Sequence, residues 1–140
     1  MMTVFFTSQA TAKNGREGHV ESNTGSINID LTNPAKDKDP SKTNPEELFA
    51  AGYAACYDGA LNLAAKKAGH KIDSTVTAKV SLQSDENDGG FKIGVILVVD
   101  IQGVSQEVGE ELTATAHQNC PYSKATRDNI DVEIITQAQI

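Results

Sequence analysis

The segment NPEELFAAGYAACYDGALNLAAKKAGH, residues 44–70, constrains the fold more than any other part of the chain. Asn44 is a favourable N-cap, and Pro45 suits the first helical position. Glu47 completes a capping-box pattern, and Gly69 is a typical residue just after a helix end. The sequence therefore predicts one long helix that is built mostly from small apolar side chains.

The polar residues of this helix form a single narrow stripe. Between Leu48 and Ala65 the strongly polar residues are Asp58 and Asn62, which lie four apart and align with Lys66. The helix is therefore apolar on most of its other sides. Because one small sheet covers only one side of such a helix, we expect a second cover, which we assign to a partner chain.

Residues 3–31 are predicted to form a β-meander. The segment VFFTSQATA has the composition of a strand, and Asn14-Gly15 is a strong signal for a tight turn. A second turn signal falls at Asn23-Thr24-Gly25. Residues 26–31 then alternate apolar and polar side chains, which is typical of a strand with one buried face.

The chain after the long helix predicts a hairpin and a second helix. The hairpin strands are STVTAKVSLQ and FKIGVILVVDIQG. Ser105 is the predicted N-cap of a helix over residues 106–119, and Pro121 terminates it.

A final strand is predicted at residues 131–135. The order of strands, helix, strands, helix and strand indicates the α+β class. A chain of 140 residues suffices for one hydrophobic core, so we predict a single domain over residues 1–140.

Charge and hydropathy argue against several classes of partner. The formal net charge of −7, without a cluster of Lys or Arg, is unfavourable for binding nucleic acid through its phosphates. No segment approaches the ~20 apolar residues that span a bilayer. The start, MMTVFFTSQA, lacks the basic and apolar regions of a signal peptide. We therefore expect a cytoplasmic protein with no nucleic-acid or membrane partner.

The chain contains two cysteines, Cys56 and Cys120. In a reducing compartment such cysteines are more often redox-active, metal-binding or inert than structurally bridged. Cys56 lies opposite the polar stripe, so it is either an inert packing residue or a thiol that a cation activates. The helix dipole does not supply that charge, because Cys56 lies about three turns from the helix start.

Arg16 and Arg127 are the two arginines of the chain. Arg16 lies at the tip of the predicted first hairpin, where it can swing over a pocket, and Arg127 follows the second helix. For each of them a solvated surface charge is the alternative interpretation.

Cys120 lies at the C terminus of the second predicted helix, where the helix dipole opposes a thiolate. If both cysteines act in one reaction, Cys56 is the better attacking thiol, provided that an arginine serves it, and Cys120 is the better resolving thiol. Together with His117 they also offer three zinc ligands, but the spacing is weak and no fourth ligand is evident. The sequence gives little support for a metal site.

Two motifs surround the cysteines, NPEELFAAGYAAC at 44–56 and AHQNCPYSKATRDNIDV at 116–132. Together with Asn14-Gly15-Arg16 they resemble the organic hydroperoxide resistance (Ohr) subfamily of the OsmC/Ohr family, over nearly the whole chain. The resemblance implies an α+β fold in which antiparallel sheets enclose two main helices, in an intertwined homodimer.

The resemblance also implies a thiol-dependent peroxidase that reduces alkyl and fatty-acid hydroperoxides to alcohols. Cys56 matches the peroxidatic cysteine and Cys120 the resolving one. Arg16 matches the residue that activates the thiolate, and Glu46 the residue that orients Arg16. Cys56 becomes a sulfenic acid that condenses with Cys120 to a disulfide. No cofactor or metal is expected, and an external lipoyl-type dithiol (dihydrolipoamide or a lipoylated protein) reduces the disulfide.

Spacing and departures from the family pattern raise three structural questions. Glu46 and Cys56 are ten residues apart, about 15 Å along a straight helix. We therefore expect either a bend or break near Gly52 or a site built across a dimer interface. Asp128 stands where the family commonly has glycine, so it alters a turn or pairs with the preceding arginine. Tyr57 replaces a common phenylalanine and adds a hydroxyl near the site if its ring points inward.

Two other functions remain compatible with the sequence. One is an OsmC-like redox sensor, which would be oxidised stoichiometrically without turnover. The other is a non-enzymatic protein whose apolar cavity binds a lipid or another small hydrophobe, in which Cys56→Ser would leave binding nearly intact. Packing explains neither Arg16 nor the two cysteine motifs, so the sequence favours the peroxidase.

Overall fold

The computed structural model describes residues 2–140. The chain consists of two compact units, an N-terminal unit that ends at Leu48 and a C-terminal unit, Phe49–Ile140. The N-terminal unit contains an antiparallel sheet with the strand order β1-β2-β3. Its strands are β1 (Ala10–Lys13), β2 (His19–Ser22) and β3 (Asn28–Asp30).

The meander differs from the prediction at its start and at its first turn. Residues 2–9 lie outside the strands and are exposed, although their composition is typical of a strand. Asn14 and Gly15 adopt the left-handed conformation that the tight-turn signal requires, with φ of 64° and 68°. A short 3₁₀ segment, Gly15–Glu17, then lengthens the connection before β2 begins.

Helix α1, Pro45–Lys67, is the long helix that the sequence predicts. The side-chain oxygen of Asn44 accepts a hydrogen bond from the backbone N–H of Glu47 at 2.8 Å, which confirms the N-cap. The capping box is incomplete, because the carboxylate of Glu47 accepts instead from the hydroxyl of Thr43 at 2.7 Å. At the other end, Gly69 has a φ of 79° and closes the helix in a Schellman motif.

Of the arrangements expected from the spacing of Glu46 and Cys56, a break near Gly52 is not found, because α1 continues through this residue without interruption. Gly52 instead makes room for Tyr122. A Cβ atom at position 52 would lie 2.9 Å from Cζ of the tyrosine ring, which is closer than such atoms pack. The glycine therefore permits close packing against the helix.

The C-terminal unit contains a second sheet with the strand order β4-β5-β6. Its strands are β4 (Asp73–Ser84), β5 (Phe91–Gln102) and β6 (Val132–Gln139). β4 and β5 form the predicted hairpin, but β5 and β6 run parallel. The expectation of purely antiparallel sheets is wrong for this pair, because the chain between β5 and β6 returns through helices. The α+β class with two main helices is confirmed.

Helix α2, Gln106–Asn119, has the bounds that the sequence predicts. Its N-cap Ser105 accepts a hydrogen bond from the backbone N–H of Val108 at 3.2 Å. Pro121 ends α2 but also begins an unpredicted helix α3, Pro121–Thr126. Proline is favourable at the first helical position, so it separates the two helices and opens the second. Cys120 is the single residue between them.

The core of the C-terminal unit lies between the helices and one face of its sheet. Alternate residues of β5 are buried, as the period of a strand requires. The polar stripe of α1 contacts the sheet as well as solvent. Asp58 accepts a hydrogen bond from the hydroxyl of Ser74 on β4 at 2.6 Å. The buried core includes Tyr53, Tyr57 and Leu61 of α1, Val95, Leu97, Val99 and Ile101 of β5, and Leu112 and Ala116 of α2.

Candidate active site

The structure brings Cys56 and Cys120 together in the C-terminal unit. Cys56 is half-buried on α1, and Cys120 is fully buried between α2 and α3. Both are free thiols, and Cys56 packs against the buried cluster that contains Cys120. Two of the four site residues predicted from the sequence are therefore neighbours.

The surroundings of Cys56 within this unit favour the neutral thiol. Burial is the main cause that raises the pKa of Cys56, because a thiolate loses solvation there. A hydrogen bond from the backbone of Tyr122 lowers that pKa, and the neighbouring Cys120 raises it. These groups keep Cys56 protonated at neutral pH, so a reactive thiolate requires an additional positive charge.

The N-terminal unit holds the other two predicted site residues, Arg16 and Glu46, in a bidentate ion pair. Nη1 of Arg16 lies 2.9 Å from Oε1 of Glu46, and Nη2 lies 3.0 Å from Oε2. These hydrogen bonds lower the pKa of Glu46 and raise that of Arg16, so both groups are charged at neutral pH. The carboxylate also lies in the first turn of α1, where the helix dipole favours a negative charge.

This ion pair orients a guanidinium and leaves it accessible. The side chain of Glu46 is only 13% exposed, whereas that of Arg16 is 50% exposed. The carboxylate occupies both Nη atoms on one edge of the planar guanidinium and so fixes its plane. The exposed part of Arg16 remains free to contact an anion.

An open groove of about 760 Å³ lies beside Cys56 in the C-terminal unit. Its walls come from α1 and α2, and their side chains are mostly small or apolar, with Lys67 and Glu111 as the charged members. Such a surface accommodates an alkyl chain better than a small polar molecule. The apolar lining includes Ala60, Leu63, Ala64 and Leu112.

Buried hydrogen bonds connect the three helices of this unit. The hydroxyl of Tyr53 on α1 lies 2.8 Å from Oγ of Ser123 and 3.2 Å from Oγ1 of Thr126, both on α3. Oγ of Ser123 also lies 2.9 Å from Nδ1 of His117 on α2. Sequence patterns did not indicate this cluster. The one available signal was the position of Tyr53, three residues before Cys56, which places both on one side of a helix.

Three residues that raised questions in the sequence have definite roles. Arg127 is not a solvated charge, because its Nη2 donates to the backbone oxygen of His117 at 2.6 Å, at the C-terminal end of α2. Asp128 has a φ of 62°, a left-handed conformation that glycine adopts with less strain than other residues. The buried Tyr57 donates its hydroxyl to the carbonyl oxygen of Thr113 at 2.7 Å, and burial raises its pKa.

Within residues 2–140, no group of three or more His, Cys, Asp or Glu side chains is placed to hold a metal ion. Over the same residues, no helix combines the length and the apolar character that a bilayer-spanning segment needs.

We expect the imidazole of His117 to titrate at lower pH than that of His19. Burial and the neighbouring Arg127 lower the pKa of His117, whereas hydrogen bonds with Asp30 and Asn28 raise that of His19. The unfolded chain therefore binds a proton at His117 more readily than the folded chain. The contribution of this group to stability is present above pH ~6.5 and decreases as the pH falls.

Titration of the imidazole signals by NMR measures both midpoints, and the variants His19→Gln and His117→Gln assign them among the three histidines of the chain. Equal or reversed midpoints would contradict the described environments of the two rings.

Comparisons with known proteins agree on one family. The profile described as OsmC-like protein matches residues 36–135. The organic hydroperoxide resistance protein OhrB of Bacillus subtilis (strain 168) is 52% identical over 130 residues, which cover 92% of this chain and 96% of that protein. OhrA of the same organism is 47% identical over 137 residues, 96% of this chain and 97% of that protein.

A solved structure shows the same fold. An organic hydroperoxide resistance protein from Elizabethkingia anophelis is 45% identical and superposes with a TM-score of 0.90, covering 99% of this chain and 100% of that chain. The chain therefore belongs to the OsmC-like family, within its organic hydroperoxide resistance branch.

Proposed function

We propose that the protein is a thiol-dependent peroxidase that reduces organic hydroperoxides to alcohols. The observation that carries this proposal is the proximity of Cys56 to Cys120 within one packed cluster beside an apolar groove. The family match and the names of the most similar relatives support the same chemistry. Both units belong to one domain over residues 1–140, since the family match spans parts of each.

The reaction proceeds in two steps at the two sulfurs. The thiolate of Cys56 attacks the O–O bond and takes one oxygen, while the alkoxide leaves and is protonated to the alcohol. Cys56 is then a sulfenic acid. The thiol of Cys120 attacks this sulfur, which forms the Cys56–Cys120 disulfide and releases water.

Arg16 supplies the positive charge that the thiolate of Cys56 requires. A guanidinium in contact with the sulfur favours the charged form and so lowers the thiol pKa. Glu46 holds the guanidinium plane in the bidentate pair and keeps the arginine oriented. Because α1 is unbroken at Gly52, we assign this pair to the Cys56 of a second protomer, across a dimer interface.

Apolar side chains on the surface support a homodimer. Phe5 and Phe6 of the N-terminal segment are 89% and 83% exposed, and Leu63 on α1 is 52% exposed. Large apolar side chains that are this exposed, two of them adjacent in the chain, are candidates for a protein interface. In the proposed dimer, which is intertwined as the family resemblance implies, these side chains are covered by the partner.

An external dithiol of the lipoyl type returns the two cysteines of the enzyme to their reduced state. Its first thiolate attacks the Cys56–Cys120 disulfide, and its second thiol releases the mixed disulfide as a cyclic product. The hydroperoxide carries its alkyl chain in the groove beside Cys56, which favours fatty-acid and alkyl hydroperoxides over hydrogen peroxide. A reducing cytoplasm is the compartment that maintains such a dithiol.

Replacement of the peroxidatic cysteine tests the function. Wild-type protein should consume cumene hydroperoxide over many turnovers with dihydrolipoamide, and Cys56→Ser should consume none, because the nucleophile is lost. Cys120→Ser should complete one turnover per protein and then depend on external thiols. Loss of the hydroperoxide and oxidation of the dithiol measure the outcome. Equal consumption of hydroperoxide by wild type and Cys56→Ser would contradict the proposed peroxidase function. Stoichiometric oxidation of the wild type without turnover would contradict it as well.

Replacement of Arg16 tests whether this residue activates the thiol of Cys56. Arg16→Gln should raise the pKa of Cys56 by about one unit or more and slow the reaction with hydroperoxide by roughly 10-fold or more, because the cation is removed. Glu46→Gln should have a smaller effect in the same direction. The pH dependence of Cys56 alkylation by iodoacetamide measures the pKa. Lys13→Gln, which removes a positive charge from the same unit, is the matched control, and an equal effect of that change would refute a specific role for Arg16.

Mixed dimers test whether the site is shared between protomers. Sedimentation equilibrium should give twice the 14.9 kDa mass of the chain. Co-expression of Cys56→Ser and Arg16→Gln protomers should restore about a quarter of wild-type activity, because half of the dimers are mixed and each mixed dimer has one intact site. A monomer in solution, or no restored activity, would exclude a shared site.

A further inference from the structure

We propose that Tyr53 and Ser123 are positioning residues that hold the resolving Cys120 against Cys56. This inference rests on the proposed peroxidase function and assigns to the buried hydroxyl cluster the control of the second chemical step. Neither hydroxyl touches the reacting atoms. They act through the placement of α3, the helix that begins directly after Cys120.

Helix α3 requires support from its surroundings. It has six residues, and a helix of this length is not stable by its own hydrogen bonds. Its first turn begins at Cys120, whose carbonyl oxygen accepts from the backbone N–H of Lys124 at 2.9 Å. The position of Cys120 is therefore linked to the position of the whole short helix.

The hydroxyl cluster connects α3 to the helix that carries Cys56. Ser123 is fully buried on α3 and contacts Tyr53 of α1 at 2.8 Å. Tyr53 is likewise fully buried and lies three residues before Cys56 on the same helix. His117 joins Ser123 from α2, at 2.9 Å. The two cysteine-bearing elements are thus tied together one turn away from their sulfurs.

One assignment of hydrogens satisfies every member of the cluster. His117 donates from Nδ1 to the oxygen of Ser123, which donates to Tyr53. Tyr53 donates to the hydroxyl of Thr126 at 3.2 Å, and Thr126 donates to the carbonyl oxygen of Ser123 at 3.2 Å. A fully satisfied buried network specifies one arrangement of its elements, whereas a member without a partner favours rearrangement.

The two chemical steps differ in their dependence on this arrangement. Attack on the hydroperoxide uses Cys56, its cation and the substrate. Formation of the disulfide additionally requires the Cα atoms of both cysteines within about 7 Å and a dihedral near ±90° about the S–S bond. A displaced α3 therefore slows the second step selectively and prolongs the life of the sulfenic acid.

The variant Tyr53→Phe tests this division. We expect the first step, measured by single-turnover consumption of cumene hydroperoxide, to remain within about twofold of wild type, and disulfide formation to slow by about 10-fold or more. Trapping of the sulfenic acid with dimedone at timed intervals and mass spectrometry of the unreduced protein measure the second step. More sulfinic acid at excess hydroperoxide is the accompanying result.

Tyr57→Phe is the matched control. It removes the same atom from a fully buried tyrosine on the same helix, but that hydroxyl donates to the carbonyl oxygen of Thr113 on α2 and not to α3. It should leave both steps near the wild-type rates. Equal rates of disulfide formation in the two variants, or equal slowing of both steps in Tyr53→Phe, would overturn the proposal. If Tyr53→Phe does not fold, Ser123→Ala is compared with Tyr57→Phe under the same criteria.

Oxidation by diamide separates this inference from the peroxidase itself. Diamide accepts two electrons and two protons from a pair of thiols and forms a disulfide without any hydroperoxide. If the wild type consumed no hydroperoxide, the proposed function would fail, yet Tyr53→Phe should still form the Cys56–Cys120 disulfide more slowly than Tyr57→Phe. Equal rates with diamide in a protein that does consume hydroperoxide would overturn the positioning role alone.

Discussion

The desolvation of Cys56 determines what its neighbours have to do. A thiol in a largely apolar setting stays protonated, which protects it from adventitious oxidation but also makes it a poor nucleophile. A charge brought to the sulfur reverses this balance, and the effect is larger at a half-buried thiol than in bulk water because the two charges are screened less. The proposed roles follow from this single constraint: Cys56 is a half-buried sulfur that needs a positive charge, and Arg16 is a cation that Glu46 already holds in place.

Polar side chains within each unit also pair with polar or charged partners of the same unit. Arg16 pairs with the carboxylate of Glu46, and Nη2 of Arg127 donates to the terminal carbonyl groups of α2, whereas the buried Nε of Arg127 has no hydrogen-bond partner among the described residues. Tyr53 and Ser123 satisfy each other together with their helical neighbours. Buried polar groups of this kind contribute specificity of arrangement more than net stability, since each exchanges a bond to water for a bond within the protein. The apolar groove beside Cys56 then remains available to an alkyl chain.

Local signals in the sequence were sufficient where a side chain meets its own backbone. Ser105 and Pro121 defined both ends of α2, and Asn44 defined the start of α1. Local signals were insufficient where packing between segments distant in sequence determines the structure. Helix α3 has too few residues to show a period. A bend or break near Gly52 was one of two arrangements expected from the spacing of Glu46 and Cys56, and the packing of Tyr122 against this glycine was not visible because the two residues are distant in sequence.

The candidate site also contains residues that the sequence predicted and residues that it did not. The two cysteines and the Arg16–Glu46 pair could be predicted because they lie in motifs that resemble a known family, although their roles remain proposals. The cluster of Tyr53, Ser123 and His117 could not, since tyrosine, serine and histidine are ordinary residue types and only their convergence from three helices gives them a role. The parallel pairing of β5 and β6 was likewise invisible, because period-two alternation carries no information about strand direction.

That parallel pairing has a mechanical consequence. The segment that carries Cys120 spans the crossover between two adjacent strands, so both of its ends are clamped to one rigid frame. A redox centre on a hairpin tip adjusts by hinging the whole tip, but a clamped crossover has no such freedom. We therefore expect side-chain rotation and shifts of the six residues of α3, rather than of the sheet, to accommodate bond formation between the sulfurs.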